Sequence, residues 1–191
     1  DPFRDLIEAN RQDQRKLTYE TYEELEDYCR LSANPVGRLV LDIFGASATR
    51  TIHLSDRVCT GLQVIEHIQD IGEDTAVGRF YMPKADLVAY GCVETDFEAS
   101  SSPERVRRLV EFECSRARSL LEAGDELASL LTTQPRVAIA GFVAGGRAAV
   151  DAVADADYDV LAHDCRPSRR NVARHGASVL WKANRLRRSG A

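Results

Sequence analysis

No run in this chain looks long and apolar enough to cross a bilayer. The longest nearly uncharged stretch, Val137 to Gly146, is followed at once by Arg147 and falls far short of the roughly 18 apolar residues a span requires. Cysteine is sparse and scattered. Cys29, Cys59, Cys92, Cys114 and Cys165 are odd in number and form no Cys-x-x-Cys pair, which argues against a disulfide scaffold or a cysteine zinc site. Reduced thiols in a cytoplasmic protein are expected instead. Strict apolar/polar alternation is also missing, so nothing argues for a sheet. The start, Asp1 to Arg15, is polar and charged and resembles no secretory signal. It has no initiator methionine, and a helical pattern begins immediately at Asp1-Pro2, so the chain is expected to have been cut from something longer. Acid is absent after Asp164, whereas Arg166, Arg169, Arg170, Arg174, Lys182, Arg185, Arg187 and Arg188 follow, which leaves a net −13 on the preceding residues against −5 for the whole chain. That basic tail, interspersed with Val179, Leu180, Trp181 and Leu186, reads either as a solvated, frayed terminus or as a segment able to lie peripherally on an anionic membrane surface. No nucleic-acid partner is expected.

With 44% hydrophobic and 29% charged residues over 191 positions, the composition is that of an ordinary globular domain. Neither a repeat nor a low-complexity linker divides it, so residues 1–191 are read as a single domain. Apolar residues recur at helical spacing almost throughout, which makes the class all-α. A first helix opens at Asp1 with Pro2 in its first turn. The capping box Thr21/Glu24 opens a second, whose inward face runs through Leu25, Tyr28, Ser32, Val36, Leu39, Val40 and Ile43 to Gly45, with a kink at Pro35. A third, from about Thr51, carries Leu54, Val58, Leu62, Ile65 and Ile68 through Asp70 and Asp74 and ends before Gly78. A short helix from Lys84 to Tyr90 and a longer one from Ser102-Pro103 to a stop at Gly124 follow. The alanine- and glycine-rich stretch Pro135 to Ala154 permits close helix approach.

Glu66, Asp70 and Asp74 stand four apart, which on a helix stacks their carboxylates along one slowly drifting stripe. Like charges so placed repel. A hard divalent cation relieves that repulsion, and magnesium typically takes one or two protein carboxylates and completes its shell with water and phosphate oxygens. From spacing alone a solvated acidic face remains open as the alternative. The apolar residues flanking these acids place them at the edge of a core. His67 lies three residues before Asp70, but carboxylate-rich surroundings without a cysteine or second histidine argue against zinc, leaving it a supporting or surface role. Arg79 and Tyr81, in the run Gly78 to Pro83, follow the acids. A guanidinium there suits a phosphate, or equally an ion pair with Glu73 or Asp74.

The run Leu62 to Asp74, with Gly78-Arg79-Phe80-Tyr81-Met82-Pro83 after it, resembles the second aspartate-rich motif of the squalene/phytoene synthases and its continuation. Tyr28 to Gly37 resembles the helix that lines that family's prenyl tunnel, and Asp157-Tyr158-Asp159-Val160-Leu161 with Pro167 resembles its carboxy-terminal signature. The resemblance implies an isoprenoid-synthase-type helical bundle around a central apolar cavity. It implies magnesium at Asp70, Asp74 and Glu66, diphosphate contacts from Gln63 and Arg79, prenyl contacts from Tyr28, Ala33, Val36 and Gly37, a further substrate contact from Tyr81, and catalytic roles for Tyr28 and Arg79. Glu66 stands where many members have Asn, and Asn34-Pro35 where many have Gly-Thr. With the run Asn34 to Leu41, these features are most similar to the bacterial hydroxysqualene synthases of hopanoid pathways, which act on presqualene diphosphate. The alternatives are a head-to-head prenyltransferase using two farnesyl or geranylgeranyl diphosphates, and a non-catalytic helical partner that binds prenyl lipids. The family's first aspartate-rich motif has no counterpart here, since Asp1 and Asp5 fall in a segment that aligns with a later helix. The chain is therefore expected to be an amino-terminally truncated synthase domain, inactive alone.

Overall fold

Helix α1 (Pro2–Gln12) begins where Asp1 accepts a hydrogen bond from the Phe3 amide at 3.1 Å, with proline in the first turn where no amide partner is needed. It belongs to a computed structural model that describes residues 1–189. Thr21 caps α2 (Tyr22–Ser32) by accepting from the Glu24 amide at 3.4 Å. The capping box is only half closed, because the Glu24 carboxylate takes the Glu20 amide at 3.1 Å and Lys16 Nζ at 2.7 Å.

The single helix expected from Thr21 to Gly45 is two. Helix α2 stops at Ser32, and α3 (Asn34–Ile43) starts afresh with Pro35 in its first turn, where the missing amide costs nothing. The restart changes the phase of the apolar face. Val36 and Ile43, expected inward, are 50% and 79% exposed, while Gly37 and Leu41 are buried. Asn34 is buried too and accepts from Thr60 Oγ1 at 3.1 Å, which ties the restart to α4 (Thr49–Gln69).

Helix α4 lies at the centre, against α2, α3, α7 (Glu104–Leu121), α8 (Ala123–Leu130) and α9 (Thr133–Asp155). It buries Leu54, Val58, Ile65 and Ile68, as its periodicity predicts. The helix expected to carry all three acids breaks at Asp70, where φ is −94° and ψ 5°, and resumes as α5 (Ile71–Ala76). The Asp70 amide still reaches the Glu66 carbonyl at 2.9 Å and the Asp74 amide the Asp70 carbonyl at 2.8 Å, so helical bonding persists across the break. Helix α6 (Lys84–Tyr90) has the expected bounds, and a 3-10 turn, Glu94–Glu98, leads on. Among the described residues there is no strand, only an isolated bridge between Thr18 and Phe80. All five cysteines are free thiols.

Gly124, read as the stop of α7, instead lies inside α8, because α7 already ends at Leu121. Its purpose is contact. A Cβ at this position would stand 2.3 Å from Val143 Cγ2 of α9, with Val143 Cγ1 at 2.8 Å. Gly124→Ala, which in an open helix would stabilise by up to ~1 kcal/mol, is therefore expected to destabilise by about 1–3 kcal/mol through overpacking. Denaturant unfolding with an unchanged m-value checks the sign.

Contrary to the sequence reading, α9 does meet the length and composition of a membrane span, with a mean hydropathy of 1.5 over its best window. Its packing argues for a core helix. It is covered by α4, α7, α8 and α10 (Arg169–Ser189), and its buried Arg147 reaches Asp125 Oδ1 at 2.8 Å and the Leu121 carbonyl at 3.0 Å. A charge and its partner inside the bundle would be unfavourable facing lipid. Helix α10 corrects the other terminal expectation. The stretch read as a frayed terminus is helical, and its Val179 and Ala183 are fully buried against the bundle.

Candidate active site

Glu66 and Asp70 sit on one wall of an open cleft of about 630 Å³, where with Gln69 and Glu73 they face the loop Val160–Asp164 with Arg166 and Pro167; Asp74 does not line it and stands toward His67 instead. Gln69 fastens that loop by donating to the Cys165 carbonyl. Partial desolvation together with the neighbouring Asp74 and Glu73 carboxylates pushes the Asp70 carboxyl above its ordinary range, while His67 and Arg166 oppose the shift. Such crowding of negative charge is unfavourable unless a cation answers it.

On the other side of Glu66 a groove of about 230 Å³ runs past Gln63, Leu62, Cys59, Ser32, Ala33, Val36 and Phe142. It continues into an apolar cavity of about 80 Å³ bordered by Val36, Gly37, Val40, Val58, Leu62, Leu127, Ile139 and Phe142. Gly37 leaves no room for a side chain, since a Cβ there would meet Cys59 Sγ at 2.4 Å and Ser55 Oγ at 2.5 Å. The structure thus brings Ala33, Val36, Gly37, Gln63 and Glu66 together along one path from polar rim to apolar floor. The apolar end is small, at about 80 Å³. The rest is open, with Val36 50% and Phe142 53% exposed.

Tyr28 and Tyr81 are placed differently from the groove residues. Backbone pairing of Leu17 to Glu20 with Phe80 to Ala85 brings Tyr19 beside Tyr81, with the Phe80 amide 2.8 Å from the Leu17 carbonyl. Tyr19, Tyr28 and Tyr81 pack with ring centroids 5.6–5.7 Å apart. Both outer phenols donate to one carboxylate, Tyr28 to Asp13 Oδ2 at 2.9 Å and Tyr81 to Asp13 Oδ1 at 3.4 Å. Burial, reinforced by Tyr81 and Asp13, raises the Tyr28 hydroxyl far above a free phenol, and burial and Asp13 raise Tyr81. Both phenols therefore stay protonated and act as donors.

His67 links this cluster to the acids. Its ring stacks on Tyr81 with centroids 3.7 Å apart, one nitrogen lies 3.2 Å from Gln63 Nε2, and Nδ1 lies 3.9 Å from Asp74 Oδ2. The surface role considered for His67 is thereby replaced by a buried one. Arg79 makes no ion pair with Glu73 or Asp74; only its backbone amide bonds the Asp74 carbonyl, at 2.9 Å. Its guanidinium remains available to an anion.

Sequence reasoning missed Asp13 and Tyr19. Asp13 lies just past the end of α1, where no periodicity marks it, and only its spatial meeting with two phenols reveals it. Among the described residues no three His, Cys, Asp or Glu side chains converge closely enough to hold an ion by themselves. The donor chemistry still suits magnesium, which needs only one or two hard carboxylate oxygens from a protein.

Comparison with known proteins bears on the family and the fold. A hydroxysqualene synthase of Sinorhizobium fredii is 41% identical over 126 residues, covering 65% of this chain and 43% of the relative. Its counterpart in Rhodopseudomonas palustris is 40% identical over the same length. The chain thus spans under half the length of these curated relatives. A maize chloroplast phytoene synthase is 30% identical over 165 residues, covering 83% of this chain and 38% of that protein. The crystal structure of a squalene synthase from Alicyclobacillus acidocaldarius superposes with a TM-score of 0.77 at 48% identity, covering 82% of this chain and 60% of that one. A dehydrosqualene synthase superposes with a TM-score of 0.84 at 24% identity, which speaks for the fold alone. The squalene/phytoene synthase family model matches residues 1–174, and the chain belongs to that family.

Proposed function

We propose that this chain forms the acidic-motif and prenyl-groove part of a hydroxysqualene synthase, which converts presqualene diphosphate to hydroxysqualene with release of diphosphate. The observation that carries the reading is the continuity of the path itself. An acidic rim at Glu66, Asp70 and Glu73 gives way within one helix turn of Glu66 to Gln63 and then to the apolar groove. A diphosphate with a long hydrocarbon tail has that polarity profile.

In this reading Asp70, Asp74 and Glu66 hold magnesium, which when bound supplies positive charge to the leaving diphosphate. Arg79 adds a guanidinium matched to phosphate oxygens, and Gln63, held by His67, orients the same group. Tyr28 and Tyr81 back His67 with fixed phenols, their protons committed to Asp13. Val36, Gly37, Leu62 and Phe142 offer the prenyl tail an apolar wall, which a protein of the family's full length would have to close for the carbocation to be shielded from bulk water.

The test is a mass-spectrometric search for neutral lipids after presqualene diphosphate and magnesium are incubated with a protein that carries this chain and spans the family's full length. Hydroxysqualene is the expected product, and the 191-residue chain alone is expected to give none. Condensation of farnesyl or geranylgeranyl diphosphate, with presqualene diphosphate untouched, would transfer the assignment to a head-to-head prenyltransferase. The longer alignment with a phytoene synthase keeps that second reading in view. No product from any of these would favour a non-catalytic prenyl-lipid-binding partner.

A further inference from the structure

Helix α10 has two faces. Val179 and Ala183 are buried against α8 and α9. On the opposite side Arg170, Arg174, Trp181, Arg185 and Arg188 recur at helical spacing and are all exposed, forming one stripe along the helix. From Arg170 to Arg188 the stripe extends about 27 Å at 1.5 Å per residue.

Two features set it apart from an ordinary charged surface. On the stripe Arg174 is neutralised by Asp151 at 2.7 Å, but Arg170, Arg185 and Arg188 make no ion pair among the described residues; on the flanks Lys182 pairs with Asp125 at 3.0 Å, while Arg169 and Arg187 make none. A large aromatic side chain stands in the middle of these free cations. Trp181 is 62% exposed, with the Arg185 guanidinium 5.8 Å from its ring centroid. Helix α10 itself carries no acidic side chain, since every acid of the chain precedes residue 165.

We propose that this stripe docks the protein on an anionic lipid bilayer, the unpaired arginines meeting lipid phosphates and Trp181 entering the headgroup layer. Charge complementarity alone would also suit a nucleic acid or the acidic body of a second copy. The exposed tryptophan favours the bilayer, because amphipathic aromatic rings partition to the membrane interface and cations gather at an anionic leaflet. The apolar face of α10 stays in the bundle, so the contact is peripheral and salt-sensitive, unlike an inserted helix. Nothing in it depends on the reaction proposed above, and its test reads no turnover.

Trp181 is the chain's only tryptophan, so its emission reports on this face alone. The chain is titrated with vesicles of phosphatidylcholine and, separately, with an equal mixture of phosphatidylcholine and phosphatidylglycerol, following emission and co-sedimentation. A blue shift and co-sedimentation with the anionic vesicles only are expected, weakened roughly tenfold or more by raising the salt. The variant carrying Arg170→Ala, Arg185→Ala and Arg188→Ala is expected to bind at least about tenfold more weakly with unchanged helicity, since these side chains project from the surface. Equal partition into both vesicles, absence of binding, or unchanged binding by the variant would overturn the proposal. So would tighter association with duplex DNA or RNA than with vesicles, or the same emission shift produced by raising protein concentration alone.

Discussion

Asp159→Ala is expected to lower the unfolding free energy by about 3–5 kcal/mol, the cost of removing one partner from a buried, hydrogen-bonded charge pair. The carboxylate is buried and accepts from Ser101 Oγ at 2.6 Å, the Ser102 amide at 2.7 Å, the Ala162 amide at 3.2 Å and Arg107 Nη2 at 2.8 Å. It joins the entry of α7 to the loop that forms the second wall of the acidic cleft. The chain reaches it through two residues in the left-handed region, Asp157 at φ 53° and Tyr158 at φ 57°. Such a conformation is unfavourable for tyrosine and persists only where surrounding contacts fix it.

Burial alone would raise the Asp159 carboxyl, but the donors from Ser101, Ser102 and Ala162 outweigh burial and hold it well below the ordinary carboxylate range. A carboxyl depressed in the folded state binds its proton more weakly there than in the unfolded chain. Its stabilisation is therefore fully present above the unfolded value near 4 and is lost as the pH falls further, toward the folded value. Thermal or urea unfolding between neutral pH and about pH 3 checks both parts. The variant is expected to start less stable and to lose less on acidification. A variant as stable as the parent at neutral pH would remove this structural role.

The helical class was legible because apolar residues recur at helical spacing along α4, α6 and α7, and the bounds of α6 coincide with those expected. What escaped were phase and contact. The sequence suggested a kink at Pro35, yet Asn34 has a buried partner on α4, and the chain restarts rather than bends. Gly124 carried the sign of a helix end, but its need is the side chain of Val143, distant in sequence. In the site, the acids, Gln63 and Arg79 were readable as a motif because they lie within one short segment. Asp13 was not, because its two hydrogen-bond partners come from α2 and from the segment after α5, and no local pattern encodes such a meeting. His67 was visible but misjudged, since spacing alone does not disclose the stack against Tyr81.

Asp70→Asn and Asp74→Asn are expected to reduce magnesium-dependent turnover by about a thousandfold each in a protein spanning the family's full length, the scale on which removal of a charge-stabilising group acts. A structural role for these acids predicts the opposite effect on stability from a functional one. The Asp70 carboxyl is exposed and accepts no side-chain hydrogen bond among the described residues, and its pKa is raised by desolvation and by Asp74 and Glu73. A carboxyl whose folded value lies above its unfolded value binds its proton more strongly when folded. It therefore detracts from stability once the pH exceeds the unfolded value, and the deficit is complete above the folded one. Neutral asparagine removes that repulsion, so Asp70→Asn is expected to melt at an equal or higher temperature at pH 7, with the difference vanishing at low pH. Turnover retained in this variant would sink the metal assignment. A melting temperature lowered by several degrees would instead class Asp70 as part of the scaffold. Activity lost with stability kept or gained is the signature of charge held together for a ligand, which an acidic face present only for solubility has no reason to show.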